Sequence, residues 1–344
     1  MTSFCFFLAP LLFAQADNLD EPSLIDKRLP VFEANDGYKG LSGSLNAVGS
    51  DTMINLITLW GEKFKSYYPD VKIQVEGKGS STAPPALIEG ISQLGPMSRA
   101  MKAKEMDAFI EKFGYEPTLV QTCLDALAVF VHKDNPIAQS GLTLDVVDAI
   151  FSKTRKLGYE EDVVNWSQLG LKGEWANASI SIYGRNSASG TYGFFKSYAL
   201  KKGDYRDSVK EQPGSASVVQ SITADKFAIG YSGIGYLTSG VKPVPLSLDG
   251  EEYFDTSFEN VIDGTYPLGR FLNIYINIPP NSELDALRHE FFRFIFSREG
   301  QEIVVKAGYL PVLSEIAEQE LGNLGIPYTP VDVEAVRVEA SFEK

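Results

Sequence analysis

From Leu45 onward the apolar positions switch repeatedly between a period of two and a helical spacing, the pattern of strands and helices taken in turn. Leu45–Val48 reads as a short strand. After Gly49-Ser50-Asp51-Thr52, the residues Met53, Ile54, Leu56, Ile57, Trp60, Phe64 and Tyr67 recur on one helical face. A strand over Val71–Val75 leads to Gly79-Ser80-Ser81-Thr82-Ala83-Pro84-Pro85, which predicts a helix running through Ile91. Proline suits that first turn, where its missing N–H has no helical partner to lose. Gln93–Met101 is a short apolar segment ending in a polar turn, and Lys102–Phe113 predicts a charged helix. Leu124–Lys133 reads as a strand, Leu142–Phe151 as a helix, and 152–173 as a charged loop with Trp166 at a packing position.

The second half repeats the scheme. An alternating strand at Ile180–Tyr183 leads into a Gly/Ser turn that carries Arg185, and a helix follows over Gly193–Lys201. Val218–Asp225 predicts a helix, Phe227–Ser232 a buried strand, and 238–267 a loop rich in Gly, Pro and Ser. Phe271–Ile278 reads as a strand, Leu284–Phe296 as a long amphipathic helix, and Ser297 opens a last helix that ends near Gly308. No internal repeat and no low-complexity segment interrupts the order. Residues 17–41 form a polar lead-in without clear periodicity. Ahead of them, the apolar run Phe4–Phe13 followed by Ala14-Gln15-Ala16 reads as a secretory signal over 1–16. It lacks the usual preceding cation, since the first lysine is Lys27.

Composition narrows the field. With 344 residues and 44% hydrophobic content, the chain can bury a core large enough for two domains. A net charge of −14 argues against nucleic acid or an anionic membrane as a partner, because both require a basic face. Cys5 and Cys123 are the only cysteines, which leaves no disulfide framework and no thiolate zinc site. His132 and His289 lack metal-ligand spacing.

The candidate chemistry lies in the turns. Gly49–Thr52, Gly79–Pro85 and Arg185–Thr191 are Gly/Ser/Thr turns between a strand and a helix. A helix start leaves backbone N–H groups without intrahelical partners and carries partial positive charge, so it can hold a small anion. The first two turns follow successive strands, which places them side by side at the carboxyl edge of a parallel sheet, where ligands of such sheets sit. Arg185 adds a planar fork suited to oxyanions. None of these turns offers a nucleophile beside a base or a carboxylate-rich cluster, so no catalytic residue, metal or cofactor is assigned.

Taken together, Gly49-Ser50-Asp51-Thr52, Gly79-Ser80-Ser81, Gly95-Pro96-Met97-Ser98-Arg99 and Arg185 followed by Ser189-Gly190-Thr191 resemble the periplasmic phosphate-binding proteins that feed bacterial phosphate ABC transporters. Ala228–Tyr231 and Gly308-Tyr309-Leu310-Pro311 also fall at family positions, and the likeness spans Leu45 to Val312. The resemblance implies an α/β fold of the type II periplasmic binding protein class, with two lobes joined by two crossing strands at 124–133 and 268–278. One lobe would be discontinuous, 41–128 plus 270–344, and the other would be 129–269.

The same resemblance puts phosphate contacts at Thr52, Ser80, Arg185, Ser189, Gly190 and Thr191, with Ser50, Asp51, Ser81, Ser98 and Arg99 completing the candidate site. Two departures stand out. An aspartate that accepts the proton of hydrogen phosphate in better-known members is Ser98 here, and a second aspartate that pairs with the arginine is Ser187. Two readings of Asp51 stay open: it accepts the phosphate proton or pairs with Arg99, or it is an ordinary N-cap. The implied function is extracytoplasmic, periplasmic capture of inorganic phosphate and delivery to the membrane subunits of an ABC transporter by a monomeric, non-enzymatic protein. The alternatives are a binder of another tetrahedral oxyanion such as sulfate or arsenate, a phosphatase-like hydrolase, or a surface attachment protein.

Overall fold

The computed structural model describes residues 24–332, so the signal expected over 1–16, and Cys5 with it, lies outside the described residues. The chain starts with β1 (Ser42–Val48), α1 (Ile54–Tyr67), β2 (Asp70–Glu76), α2 (Ala83–Ile88), β3 (Gly95–Met97) and α3 (Ala103–Phe113). It then runs through β4 (Thr118–His132), α4 (Ile137–Ser140), β5 (Leu142–Thr143), α5 (Leu144–Phe151), β6 (Ser181–Arg185) and α6 (Gly190–Tyr198). Next come β7 (Lys210–Gln212), α7 (Ser215–Ala224), β8 (Ala228–Gly233), β9 (Val241–Pro243), β10 (Leu246–Ser247) and α8 (Phe258–Ile262). β11 (Gly269–Ile276), α9 (Ala286–Ile295), α10 (Arg298–Lys306) and α11 (Ser314–Asn323) complete it.

β4 organises these elements. Its first part, Thr118–Ala126, pairs antiparallel with β11, and its second part, from Leu127, pairs with β8 and β9. On one side of that exchange β11 bonds β3, the Ala47–Leu94 bridge ties in β1, and β1 lies parallel to β2. On the other side β8 lies parallel to β6, and β6 to β7. The result is two α/β lobes that share one continuous strand. β4 can serve both because its residues from Thr122 to Val131 are buried on both faces, which requires the near-continuous apolar run read from the sequence.

Each lobe closes on aromatic residues. Phe64 on α1 packs against Phe291 and Phe294 on α9, with ring centroids 5.3 and 5.5 Å apart. Trp60 is fully buried and donates its indole N–H to Gly300 O at 2.8 Å. In the other lobe Phe195 stacks on Tyr231 at 4.0 Å, and Trp166 meets Trp175 edge to face at 6.0 Å.

Several element limits differ from the sequence reading. The helix after Gly79 stops at Ile88, and Ile91 is 60% exposed, because Gly90 takes a left-handed φ of 69°. Leu142 and Thr143 pair with β10 instead of opening α5. Arg185 is the last residue of β6, so the anion-type turn begins one residue later, and α6 starts already at Gly190 because Ser189 caps it. The expected loop 238–267 contains β9, β10 and α8, and α11 extends the chain beyond the helix thought to be last. The polar lead-in is anchored too. Leu29 and Phe32 are buried, and the Phe32 ring lies 4.8 Å from Tyr67 and 5.3 Å from Phe294.

Candidate functional site

The Gly/Ser/Thr turns meet in the cleft between the lobes. Ser50–Thr52 precede α1, Ser80 and Ser81 precede α2, and Ser98 follows β3, all from one lobe. Ser189, Gly190 and Thr191 open α6 from the other lobe, and Ser189 Oγ accepts the Tyr192 N–H at 3.3 Å. Contact between the two sets is direct: Ser81 N donates to Ala188 O at 3.1 Å. Gly79 has a φ of +112°, and a Cβ there would lie 2.5 Å from Ala188 O, so this approach is open only to glycine.

The hydroxyls form one buried cluster. Ser50 Oγ donates to Ser98 Oγ at 3.0 Å, Ser98 N donates to Ser80 Oγ at 3.0 Å, and Thr52 Oγ1 and Thr191 Oγ1 are 2.9 Å apart. Ser50, Thr52, Ser80, Ser98, Ser189 and Thr191 are all at most 3% exposed. Two tyrosines hold the α1 side: the Tyr236 hydroxyl donates to Asp51 O at 2.9 Å and the Tyr309 hydroxyl to Thr52 O at 2.7 Å. Burial pushes both phenols above their ordinary range, which keeps them protonated as donors.

Arg185 is buried, with its side chain 1% exposed. Its Nη1 donates to Ser215 Oγ at 2.7 Å, and its Nη2 lies 3.1 Å from Asp51 Oδ2. Burial depresses the Arg185 guanidinium from its usual value, and Asp51 counteracts that loss. Asp51 Oδ2 also accepts Ser215 N and Ser215 Oγ, both at 2.8 Å. Both open readings of Asp51 are thereby corrected in part. Asp51 pairs with Arg185, not Arg99, and the helix it caps is α7 of the opposite lobe, not its own. The carboxylate missing at the exposed Ser187 is thus supplied across the cleft.

Arg99 has turned aside. Its two Nη atoms each donate to Glu105 at 2.8 Å, and only Nη2 reaches the cluster's margin, at Ser81 Oγ 3.2 Å away. Glu105 is claimed locally: it sits in the first turn of α3 and accepts the Lys102 N–H at 2.8 Å. Burial raises the Glu105 carboxyl, but Arg99 and Lys102 more than offset this and hold it below the usual range.

Sequence reasoning missed three participants. Ser215 opens α7 after Pro213-Gly214, a turn of the same type as the others. Arg270 and Asp125 form a buried ion pair of 2.7 Å, with side chains 2% and 0% exposed. A lone acid inside the apolar run of β4 was the available signal, since a buried charge requires a partner. The arrangement as a whole offers hydroxyl and amide donors, helix starts and guanidinium groups, with each buried arginine matched to a carboxylate. Such a lining suits a small oxyanion.

The comparisons agree with this geometry. Residues 35–299 match the model of the PBP superfamily domain. The chain is 52% identical over 303 residues to the phosphate-binding protein PstS of Pseudomonas aeruginosa, covering 88% of this chain and 92% of that protein. It is 31% identical to the phosphate-binding protein PstS of Bacillus subtilis, covering 80% and 83%. Among solved structures, a Clostridium perfringens substrate-binding protein assigned to a phosphate ABC transporter, with phosphate bound, matches with a TM-score of 0.65 at 26% identity, covering 78% of this chain and all of that one. A phosphate transport receptor from Vibrio cholerae, at 21% identity and a TM-score of 0.59, shares the fold. The chain belongs to the phosphate-binding protein family within the PBP superfamily.

Proposed function

We propose that this protein captures inorganic phosphate outside the cytoplasm and delivers it to the membrane subunits of an ABC transporter, acting by binding alone. The observation that carries the reading is the meeting of Ser50, Thr52, Ser80, Ser98 and Thr191 in one buried hydroxyl network, with Gly190 packed against Ser80 and Ser98, Ser189 capping the same helix start, and Arg185 buried at Asp51 next to Thr52. A dehydrated anion needs that many donors to offset its lost hydration. No helix among the described residues is long and apolar enough to cross a membrane. Among those residues no His or Lys bonds any hydroxyl of the cluster, which favours a binder over a hydrolase. The lobes divide as 41–128 plus 270–344 against 129–269, a division supported by the exchange of β4 partners between Ala126 and Leu127. Closure of that joint around the ligand would make the docking-competent form.

Asp51 is the acceptor of the ligand's proton. Its Oδ2 is committed to Ser215, while Oδ1 accepts no hydrogen bond among the described residues. Titration calorimetry with phosphate, arsenate and sulfate tests both points. The wild-type protein is expected to bind phosphate at micromolar concentration or below, with arsenate competing and sulfate not; no heat with phosphate defeats the assignment. Asp51→Asn should cut the preference for phosphate over sulfate about tenfold or more, the scale of one charge-assisted hydrogen bond. Unchanged discrimination would assign proton recognition to another group.

A further inference from the structure

We propose that Arg270 is a second ligand-holding cation of this site and that Asp125 is the counter-charge that balances it, an inference that rests on the anion-binding reading above. Arg270 stands at the head of β11, on the seam between the lobes. Its Nη1 donates to the Ser98 backbone O at 2.9 Å, and its Nη2 donates to Thr191 Oγ1 at 3.1 Å, so one guanidinium touches a residue of the cluster from each lobe. Nε and Nη2 also donate to a single oxygen, Asp125 Oδ2, at 2.9 and 2.7 Å. The other carboxylate oxygen, Asp125 Oδ1, accepts the Ile234 N–H at 3.0 Å. The Phe194 ring lies under the guanidinium, 5.2 Å from its centre.

A guanidinium has five N–H bonds. One of the two on Nη1 has no partner among the described residues, on a group only 2% exposed. A buried ion pair seldom stabilises a fold more than apolar side chains of the same size would, so its presence at the cleft calls for a use. Arg270 and Phe194 also line a groove of roughly 670 Å³. Arg99, Lys102 and Lys202 line it, and no acidic residue does among the described ones. Glu105 balances Arg99, so in a chain with a net charge of −14 it is Lys102 and Lys202 that leave this groove locally positive.

The test compares phosphate affinity by titration calorimetry in the wild-type protein and two variants, with melting temperatures recorded alongside. The double variant Arg270→Gln/Asp125→Asn replaces the ion pair by a neutral pair of like shape. It is expected to melt as a folded protein and to bind phosphate about 10- to 100-fold more weakly, with a flatter dependence on salt. Asp125→Asn alone leaves the cation without its counter-charge and should tighten phosphate binding several-fold while steepening the salt dependence. A purely structural pair gives neither result: wild-type affinity in a folded double variant overturns the proposal. If the double variant does not fold, Asp125→Asn decides, and no gain in affinity overturns it. A wild-type protein silent to phosphate, arsenate and sulfate alike defeats the anion-binding reading as well.

Discussion

At Gly190 the start of α6 comes so close to the opposite lobe that an added Cβ would lie 2.1 Å from Ser80 Oγ and 2.6 Å from Ser98 Oγ. The strain exists only while the lobes are together, so the molecule can relieve it by parting them. Gly190→Ala is therefore expected to weaken phosphate binding by about 100-fold, near 2.7 kcal/mol, while the melting temperature without ligand changes little. Titration calorimetry paired with a thermal melt checks this; a variant that binds normally would show that the approach is not needed for binding. Legibility at this scale followed distance along the chain. Ser50, Thr52, Ser80, Ser189 and Thr191 stand in turns whose chemistry is local, so the sequence displays them. The partners of the charged residues are decided by the fold: Arg99 is taken by Glu105, six residues on, and Asp51 meets Arg185 and Ser215 only after folding. Hydrophobic spacing carries no information about such pairings.

Among the elements, α11 illustrates what period alone does not reveal. Its buried face includes a carboxylate: Glu320 is 3% exposed and accepts the Gln121 N–H of β4 at 3.1 Å. Burial raises the Glu320 carboxyl above its ordinary range, and the single backbone hydrogen bond only partly opposes this. A folded value above the unfolded one means that this group's contribution is fully present at low pH and is lost as pH rises through the folded value. Glu320→Gln keeps an acceptor for Gln121 without the charge. It should raise the melting temperature at pH 8 and leave it nearly unchanged at pH 4; a larger gain at pH 4 would reverse the sign of the argument. Helix and strand types were readable from apolar spacing, as for α1 and α9. Their limits were set elsewhere, by Ser189 at the start of α6, Gly90 after α2 and the β10 pairing of Leu142.

For the whole molecule, the site joins segments that belong to different lobes, so a bound anion stabilises both together. At a phosphate concentration 100 times the dissociation constant, the folded state should gain about 2.7 kcal/mol, seen as a single calorimetric transition displaced upward by several degrees. A transition that splits, with only one part moving, would mean that the anion is held by one lobe alone. The two-lobed architecture was legible through the family resemblance, which implied a crossing strand at 124–133, within the near-continuous apolar run of β4. Its dual pairing was not, since the residues of β8 and β11 that bond it are far away in the chain.

That shared strand has a mechanical meaning. β4 passes from one sheet to the other between Ala126 and Leu127 without leaving the extended conformation, and both residues are fully buried. A loop hinge would let the lobes swing freely, whereas a strand that is bonded on either side of the seam can yield only by twisting. It behaves as a torsion bar with a preferred angle set by the natural right-handed twist of paired strands. Under the proposed closure, any change of angle between the lobes must therefore be taken up as twist within a bonded, buried strand, so the joint restricts the path along which the lobes can move.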